Sequence, residues 1–204
     1  MGGRGGKEGL KVTIPGCICE IGDDEREELE KLLFKFGKAR RRAYALKWKG
    51  YPRSEIVRIL REETGLNARY VRDAYDSIKG LPPHATFGGL KNQRLREKGK
   101  ISKEEYRKRR NSIVIAQGEK NKKGNLNMRL DLEKMELRIS TGESRWIYPK
   151  IFIPQKYLKK YGHLLDGSAP YTVVIKRRNN DRGYDVRITV EVPTEAKDGS
   201  RIMV

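Results

Sequence analysis

The chain has 204 residues, of which 36% are hydrophobic and 36% are charged, and its formal net charge is +19. This length suits one large domain or two small ones, and so strong a positive charge indicates a polyanionic partner, most often nucleic acid. The sequence shows no apolar run of about 18 residues and no signal peptide, so we expect a cytoplasmic protein without a membrane partner.

Metal binding is not expected. The chain has two cysteines, Cys17 and Cys19, and two histidines, His84 and His163. A zinc site would require all four to converge from distant parts of the sequence. The two thiols point to the same side of a predicted strand and are interpreted as small buried hydrophobic groups. Abundant Lys, Arg and Glu beside few glutamines favours a thermophilic source.

The first predicted element is a strand over residues 10–21. Leu10, Val12 and Ile14 alternate with polar residues, which is the period of a half-buried strand. Pro15-Gly16 interrupts this alternation and is interpreted as a bulge, after which the two cysteines and Ile21 would face inward.

A long helix is predicted next, from Asp23 to about Trp48. Its second half opens a basic segment, Lys35–Arg53, with no acidic residue between Phe34 and Ser54. The segment contains eight cations and three aromatic residues: Lys35, Lys38, Arg40, Arg41, Arg42, Lys47, Lys49 and Arg53, with Tyr44, Trp48 and Tyr51. A solvated helix face is one interpretation; contact with phosphates, supported by aromatic side chains, is the one we favour.

Two shorter helices follow, separated by Thr64-Gly65-Leu66 and capped by Ser54 and Asn67. Their size is that of a helix-turn-helix, in which Arg69, Tyr70 and Arg72 would lie near the start of the second helix. Two packed helices without any base contact have the same pattern, so this motif is weak.

Further basic segments follow a tight glycine turn at 86–90. Residues 91–111 contain ten Lys or Arg and three Glu, with a capping box at Ser102 and Glu105. A later loop, 117–125, carries Lys120, Lys122 and Lys123. We expect these segments and Lys35–Arg53 to line one groove.

The strand pattern returns after Asn111 and ends in its clearest example, Tyr184 to Val192, where apolar and polar residues alternate without a break. A hairpin turn carrying Arg177 and Arg178 precedes it. The predicted fold class is α+β. An antiparallel, oligonucleotide-binding-like β-barrel (residues 1–22 and 111–204) is interrupted by an inserted helical lobe (residues 23–110), and closure into a barrel protects the strand edges.

Motifs of catalysis are missing from the sequence. It contains no GxxxxGK[ST] motif, no GxGxxG motif next to a strand, and no carboxylate cluster at apolar strand ends of the kind a two-metal nuclease requires. We therefore predict a binding protein and not an enzyme, with no cofactor and no small-molecule substrate.

The order of motifs resembles the N-terminal half of the transposon-encoded OrfB/TnpB family of RNA-guided nucleases. The matching features are the strand Leu10–Ile14, the helix Leu29–Phe36 running into Ala39-Arg40 and Ala43, Phe87-Gly88-Gly89, Arg110-Asn111, the loop 118–124 and Val192-Pro193. The resemblance implies a wedge barrel and a recognition lobe that grip a guide RNA and DNA flanking the target. The family's nuclease domain would begin where this chain stops, so no catalytic residue transfers.

The leading hypothesis is a non-catalytic, transposition-associated module that binds structured RNA, duplex DNA or both. A helix-turn-helix DNA-binding regulator and a structural ribonucleoprotein component are the alternatives. The predicted contact residues are Lys38, Arg40, Arg41, Arg42, Lys47, Trp48, Lys49, Tyr51, Arg53, Arg69, Tyr70, Arg72, Lys91, Arg94, Arg109, Arg110, Lys120, Lys122, Lys123, Arg177 and Arg178.

Overall fold

The computed structural model describes residues 9–119, 124–142, 144–178 and 183–193. These ranges form a mixed α+β fold with one antiparallel sheet and six α-helices. In chain order the elements are β1 Leu10–Glu20, α1 Asp23–Trp48, α2 Arg53–Thr64, α3 Ala68–Asp76, α4 Leu90–Glu97, α5 Lys103–Arg110, β2 Ile113–Ala116, β3 Met128–Asp131, β4 Glu136–Gly142, β5 Arg145–Ile147, β6 Lys150–Phe152, α6 Gln155–Tyr161, a 3-10 turn Gly162–Leu164, β7 Tyr171–Arg177 and β8 Tyr184–Val192.

The N-terminal strand lies in the middle of the sheet. The strand order is β2-β7-β8-β1-β6-β4-β3, with β5 beside β4. β1 pairs antiparallel with β8 from Leu10 opposite Val192 to Ile18 opposite Tyr184, and with β6 on its other side. The prediction that strand 10–21 pairs with strands beyond Asn111 is confirmed, and β1 joins the two halves of the sheet.

The predicted bulge at Pro15-Gly16 is wrong. The pairing with β8 runs through both residues without a shift, and the irregularity lies later, between Ile18 and Glu20 on the β6 side. Because the alternation keeps its phase, Ile18 is buried, whereas Cys17 is half-buried and Cys19 is exposed. The cysteines are therefore not core residues.

The sheet curls into a half-barrel whose two ends are tied together by a buried asparagine, Asn125. Its Nδ2 donates to the carbonyls of Ala116 at the end of β2 and Tyr171 at the start of β7, at 2.8 and 3.1 Å. Its Oδ1 accepts the amides of Asn127 and Met128, each at 3.0 Å. Met128 is the first residue of β3, the strand at the opposite end of the sheet from β2, so Asn125 contacts both ends.

The five helices α1–α5 all lie between β1 and β2 in the chain, in the stretch predicted to be a helical insertion. α1 packs its apolar side against the sheet and against α2 and α3, and the buried apolar residues of helices and sheet form one core cluster. At its N-terminal end, Glu25 accepts the amide of Tyr148 at 2.7 Å. None of the helices in the described ranges is long and apolar enough to cross a membrane.

Candidate nucleic-acid interface

The cations of Lys35–Arg53 point in several directions around α1, since each residue turns a helix by about 100°. On the α2 side, Lys38 donates to the Glu63 carbonyl at 2.9 Å, and Arg42 binds both carboxylate oxygens of Glu63 at 2.9–3.1 Å. Arg53 lies 3.4 Å from Asp76. The basic segment has no acidic residue of its own, but α2 and α3 supply carboxylates to two of its arginines.

Neutral acceptors hold two more of these cations on the α3 side. Arg40 Nε donates to Ser77 Oγ at 2.9 Å, and Lys47 Nζ donates to the Lys79 carbonyl at 2.6 Å. Lys49 is exposed, as are Trp48 and Tyr51, which are predicted stacking residues. The segment is therefore not one continuous phosphate-binding face.

A different arrangement occurs where α1 meets α5. Arg41 donates to Asn111 Oδ1, and its positive neighbours are Arg40, Arg107 and Arg110. We call these four arginines, 40, 41, 107 and 110, the arginine cluster. Among the described residues, no carboxylate lies within ion-pair distance of any of them. The cluster carries positive charge that this part of the protein does not neutralise.

Burial and like charge both act on the Arg41 guanidinium. Burial, followed by repulsion from Arg110 and Arg40, lowers the pKa of Arg41 to about 10. Burial also lowers the pKa of Arg40. The Nε of Arg110 is buried and has no hydrogen-bond partner in the described structure. A bound anion would offset the repulsion between these groups.

Aromatic rings support three of the four guanidinium groups. Arg107 lies 4.3 Å from the centre of the Phe34 ring, Arg40 lies 5.7 Å from that of Phe87, and Arg110 lies 5.7 Å from that of Tyr106. Cation–π contacts of this kind hold a guanidinium in place without neutralising its charge.

Two glycines, Gly37 on α1 and Gly88 in the loop before α4, allow close contacts with the C-terminal end of α5. A Cβ on Gly37 would overlap Asn111 Oδ1, so only glycine allows this approach of the helix to Asn111. Gly88 has a φ of +88°, and a Cβ there would lie 2.7 Å from Arg110 Cβ. α5 itself begins at the predicted cap, where Ser102 Oγ accepts the Glu105 amide at 2.9 Å.

The predicted recognition helix, α3, is largely engaged with the rest of the protein. Tyr70 is not a surface residue: it is fully buried, packs edge-on against Phe36, and donates to the Ser140 carbonyl at 2.9 Å. Its assignment to the nucleic-acid face is corrected to the core. Arg69 and Arg72 lie 3.7 and 3.2 Å from Glu119. This packing argues against α3 as a major-groove reader.

The remaining predicted residues fall into three groups. Lys91 and Arg94 are exposed on α4, and Arg109 binds Glu105 at 2.6 Å. Arg177 is buried near Glu30 and is corrected from a turn contact to a structural residue, while Arg178 binds Asp185 at 2.6 Å. Lys120, Lys122 and Lys123 lie outside the described residues. Of the three basic segments expected to line one groove, the structure places the first beside the second, through Arg41 and Arg110.

Sequence reasoning missed Arg107 and a cross-strand pair, Arg129 and Arg138. Arg107 is one helical turn before Arg110, so their spacing could have placed both on one side of α5. Arg129 and Arg138 are equidistant in the sequence from residues 133–134, between β3 and β4, and face each other across these two strands. Arg138 stacks 3.9 Å from the centre of the Trp146 ring.

Among the residues that the structure describes, no group of three or more His, Cys, Asp or Glu side chains could hold a metal ion.

The family described as SSO2105 N-terminal domain matches residues 11–197, which is nearly the whole chain. The chain therefore belongs to this family, whose description states no activity. No curated protein matches the chain significantly. The resemblance to OrfB/TnpB stays a prediction.

Proposed function

We propose that this chain is a nucleic-acid-binding module and that the arginine cluster contacts its phosphate backbone. The observation that carries the proposal is the convergence of four arginines without a carboxylate within ion-pair distance among the described residues. Charge-assisted hydrogen bonds from guanidinium to phosphate would satisfy such groups, and the release of counterions from the backbone would favour binding.

The rings of Phe34, Phe87 and Tyr106 support preorganisation of the cluster. Three guanidinium groups are already placed against these rings, so less side-chain freedom is lost when a phosphate binds. Backbone contacts of this kind position a nucleic acid but do not read its sequence. We therefore propose binding with little base specificity at this site.

We further propose that the half-barrel is an oligonucleotide-binding-like barrel and that the preferred partner is structured RNA. The hydrogen bonds of Asn125 between the two ends of the sheet support the barrel. The OrfB/TnpB-like order of motifs supports an RNA partner and a transposon-associated role. Duplex-DNA recognition through α3 has less support, because Arg69 and Arg72 both form ion pairs with Glu119.

A comparison of the affinities for three nucleic acids tests this function. Fluorescence anisotropy would compare a structured RNA, a single-stranded RNA and a duplex DNA of equal length, each at two salt concentrations. We expect the structured RNA to bind most tightly and every affinity to fall with salt. Equal, salt-independent affinity for all three, or no binding of any, would contradict the proposal.

A further inference from the structure

A second basic site lies between α5 and the sheet. Here a cleft of about 340 Å³ separates the α4–α5 segment from the outer face of β2, β7 and β8. Its volume is at the lower end of the range of small-molecule sites, about 300–1,000 Å³, so its size fits one nucleotide and not a duplex. Its lining includes Arg109, Ser112, Ile113, Val174, Lys176 and Arg187.

The sheet side of the cleft follows from strand alternation. In β7, residues 173, 175 and 177 face the core, so Val174 and Lys176 face outward. Arg187 lies opposite Val174 on β8 and is therefore the diagonal neighbour of Lys176. Ile113 on β2 lies opposite Lys176 on its other side. Two cations thus border an apolar floor.

The helix side of the cleft is held by a chain of hydrogen bonds. Arg109 donates to Glu105 at 2.6 Å and to Asn92 Oδ1 at 3.1 Å, and Asn92 Nδ2 donates to the Gly88 carbonyl at 2.7 Å. These contacts fix the wall that faces Lys176 and Arg187, so the cleft is built before any ligand enters.

Charge in the cleft is unbalanced. Its lining contains no carboxylate, and no ion pair is formed by Lys176 or Arg187 within the described ranges. The nearest acidic groups are already engaged: Asp185, opposite Lys176, binds Arg178, and Glu105 binds Arg109. An anion is the ligand that this lining favours.

We propose that the cleft binds a single nucleotide of the nucleic acid, and this inference rests on the proposed function. The phosphate binds between Lys176 and Arg187, with the Ser112 hydroxyl beside it, and the base packs on Ile113 and Val174. The nucleotide is either internal to a strand or at its phosphorylated end; the chemistry is the same.

Titrations with adenosine monophosphate, adenosine and inorganic phosphate, followed by amide NMR spectra, test this site. We expect the monophosphate to shift the amides of residues 112, 113 and 174 and to bind more tightly than either fragment. The double variant Lys176→Ala, Arg187→Ala should weaken it at least roughly tenfold. The control Lys156→Ala, Lys159→Ala removes the same charge from exposed positions of α6 and should leave the affinity unchanged.

Two single-stranded RNAs, with and without a 5′-phosphate, then show whether the bound nucleotide is internal to a strand or at its phosphorylated end. Tighter binding of the phosphorylated RNA, abolished by the cleft variant, identifies a strand end; equal affinities, both reduced by the cleft variant, identify an internal nucleotide. The inference is overturned if the monophosphate shifts no cleft amide, or if the cleft variant changes neither its affinity nor that of the RNAs. In that case RNA binding that depends on the arginine cluster would still uphold the proposed function.

Discussion

The cations on the two sides of α1 differ in the partners that they have in the folded protein. On the side that packs against α2 and α3, Arg42 binds Glu63, Arg53 lies near Asp76, and Lys38 and Lys47 donate to backbone carbonyls. On the side that meets α5, Arg41 has positive neighbours and an amide oxygen as its hydrogen-bond acceptor.

This difference teaches that a run of cations in a sequence has no single role. The acidic residues that neutralise one side of α1 lie more than 20 residues away in the sequence, and none of the acidic residues that the structure describes lies within ion-pair distance of Arg41. Cations that bind carboxylates or backbone carbonyls contribute to structure, whereas the arginine cluster has only neutral partners among the described residues, Ser77 and Asn111, and is the group that we propose to contact an external anion. The predictions below test this division, beginning with the largest expected effect.

Gly37→Ala should disrupt the α5 side of α1. The new Cβ overlaps Asn111 Oδ1, so α1 and α5 must separate, and we expect a loss of about 3 kcal/mol in the free energy of unfolding. Chemical denaturation measures it. Gly80→Ala is the control, because nothing lies within 4 Å of a Cβ there. Equal effects at the two sites would show that the contact at Gly37 is not tight.

Asp73→Asn should stabilise the α3 side at neutral and alkaline pH. Burial raises the pKa of Asp73 to about 7 from 3.8, although the hydrogen bond from the Gln117 amide lowers it. The native state therefore favours the protonated carboxyl, and wild-type stability should fall as pH rises from 3.8 to 7, by at most about 1.4 kcal/mol per unit.

An asparagine keeps an acceptor for the Gln117 amide but cannot ionise. We expect the variant to lose this pH dependence and to exceed the wild type by about 1–2 kcal/mol at pH 8, allowing for partial relaxation. Thermal or chemical unfolding at pH 4, 6 and 8 measures the difference. Parallel stability curves for the two proteins would contradict it.

Tyr70→Phe should cost about 1 kcal/mol, because the buried Ser140 carbonyl loses the hydroxyl that binds it. Nucleic-acid affinity should stay unchanged, since Tyr70 is a core residue. Tyr51→Phe, at an exposed position, serves as the control for stability. A loss of nucleic-acid affinity without a loss of folding stability would indicate that Tyr70 contacts the nucleic acid.

Arg42→Ala should have the smallest effect. The pair with Glu63 is partly exposed, and ion pairs of this kind contribute about 0.2–1 kcal/mol. RNA affinity should change less than about twofold by the same reasoning, because the guanidinium is already paired. A tenfold loss of affinity would place Arg42 in the interface and remove the distinction between the two sides.

Local sequence signals predicted the helices and strands better than the contacts between them. The period of two in β1 and β8 identified both strands, and the caps at Asn67 and Ser102 identified the starts of α3 and α5. The predicted inward orientation of Cys17 was wrong because the strand continues through Pro15-Gly16 without a bulge. Gly16 has no side chain and so allows the Phe152 carbonyl to approach closely.

The site was predicted only in part, because charge pairing depends on contacts between distant elements. Nothing near Arg42 in the sequence points to Glu63, so the segment looked unpaired along its whole length. Tyr70, by contrast, could have been assigned to the core, since it shares helical spacing with the buried residues Ala74 and Ile78.

The salt dependence of RNA binding tests the division most directly. Two double variants remove equal charge: Arg41→Ala, Arg110→Ala from the arginine cluster, and Arg42→Ala, Arg53→Ala from the paired side. The first should reduce the slope of log affinity against log salt by about 1.4–1.8, or 0.7–0.9 per lost contact, while Arg41→Lys, Arg110→Lys largely restores it. The second should leave the slope unchanged. Equal slopes for the two alanine variants, with both proteins folded, would contradict the account.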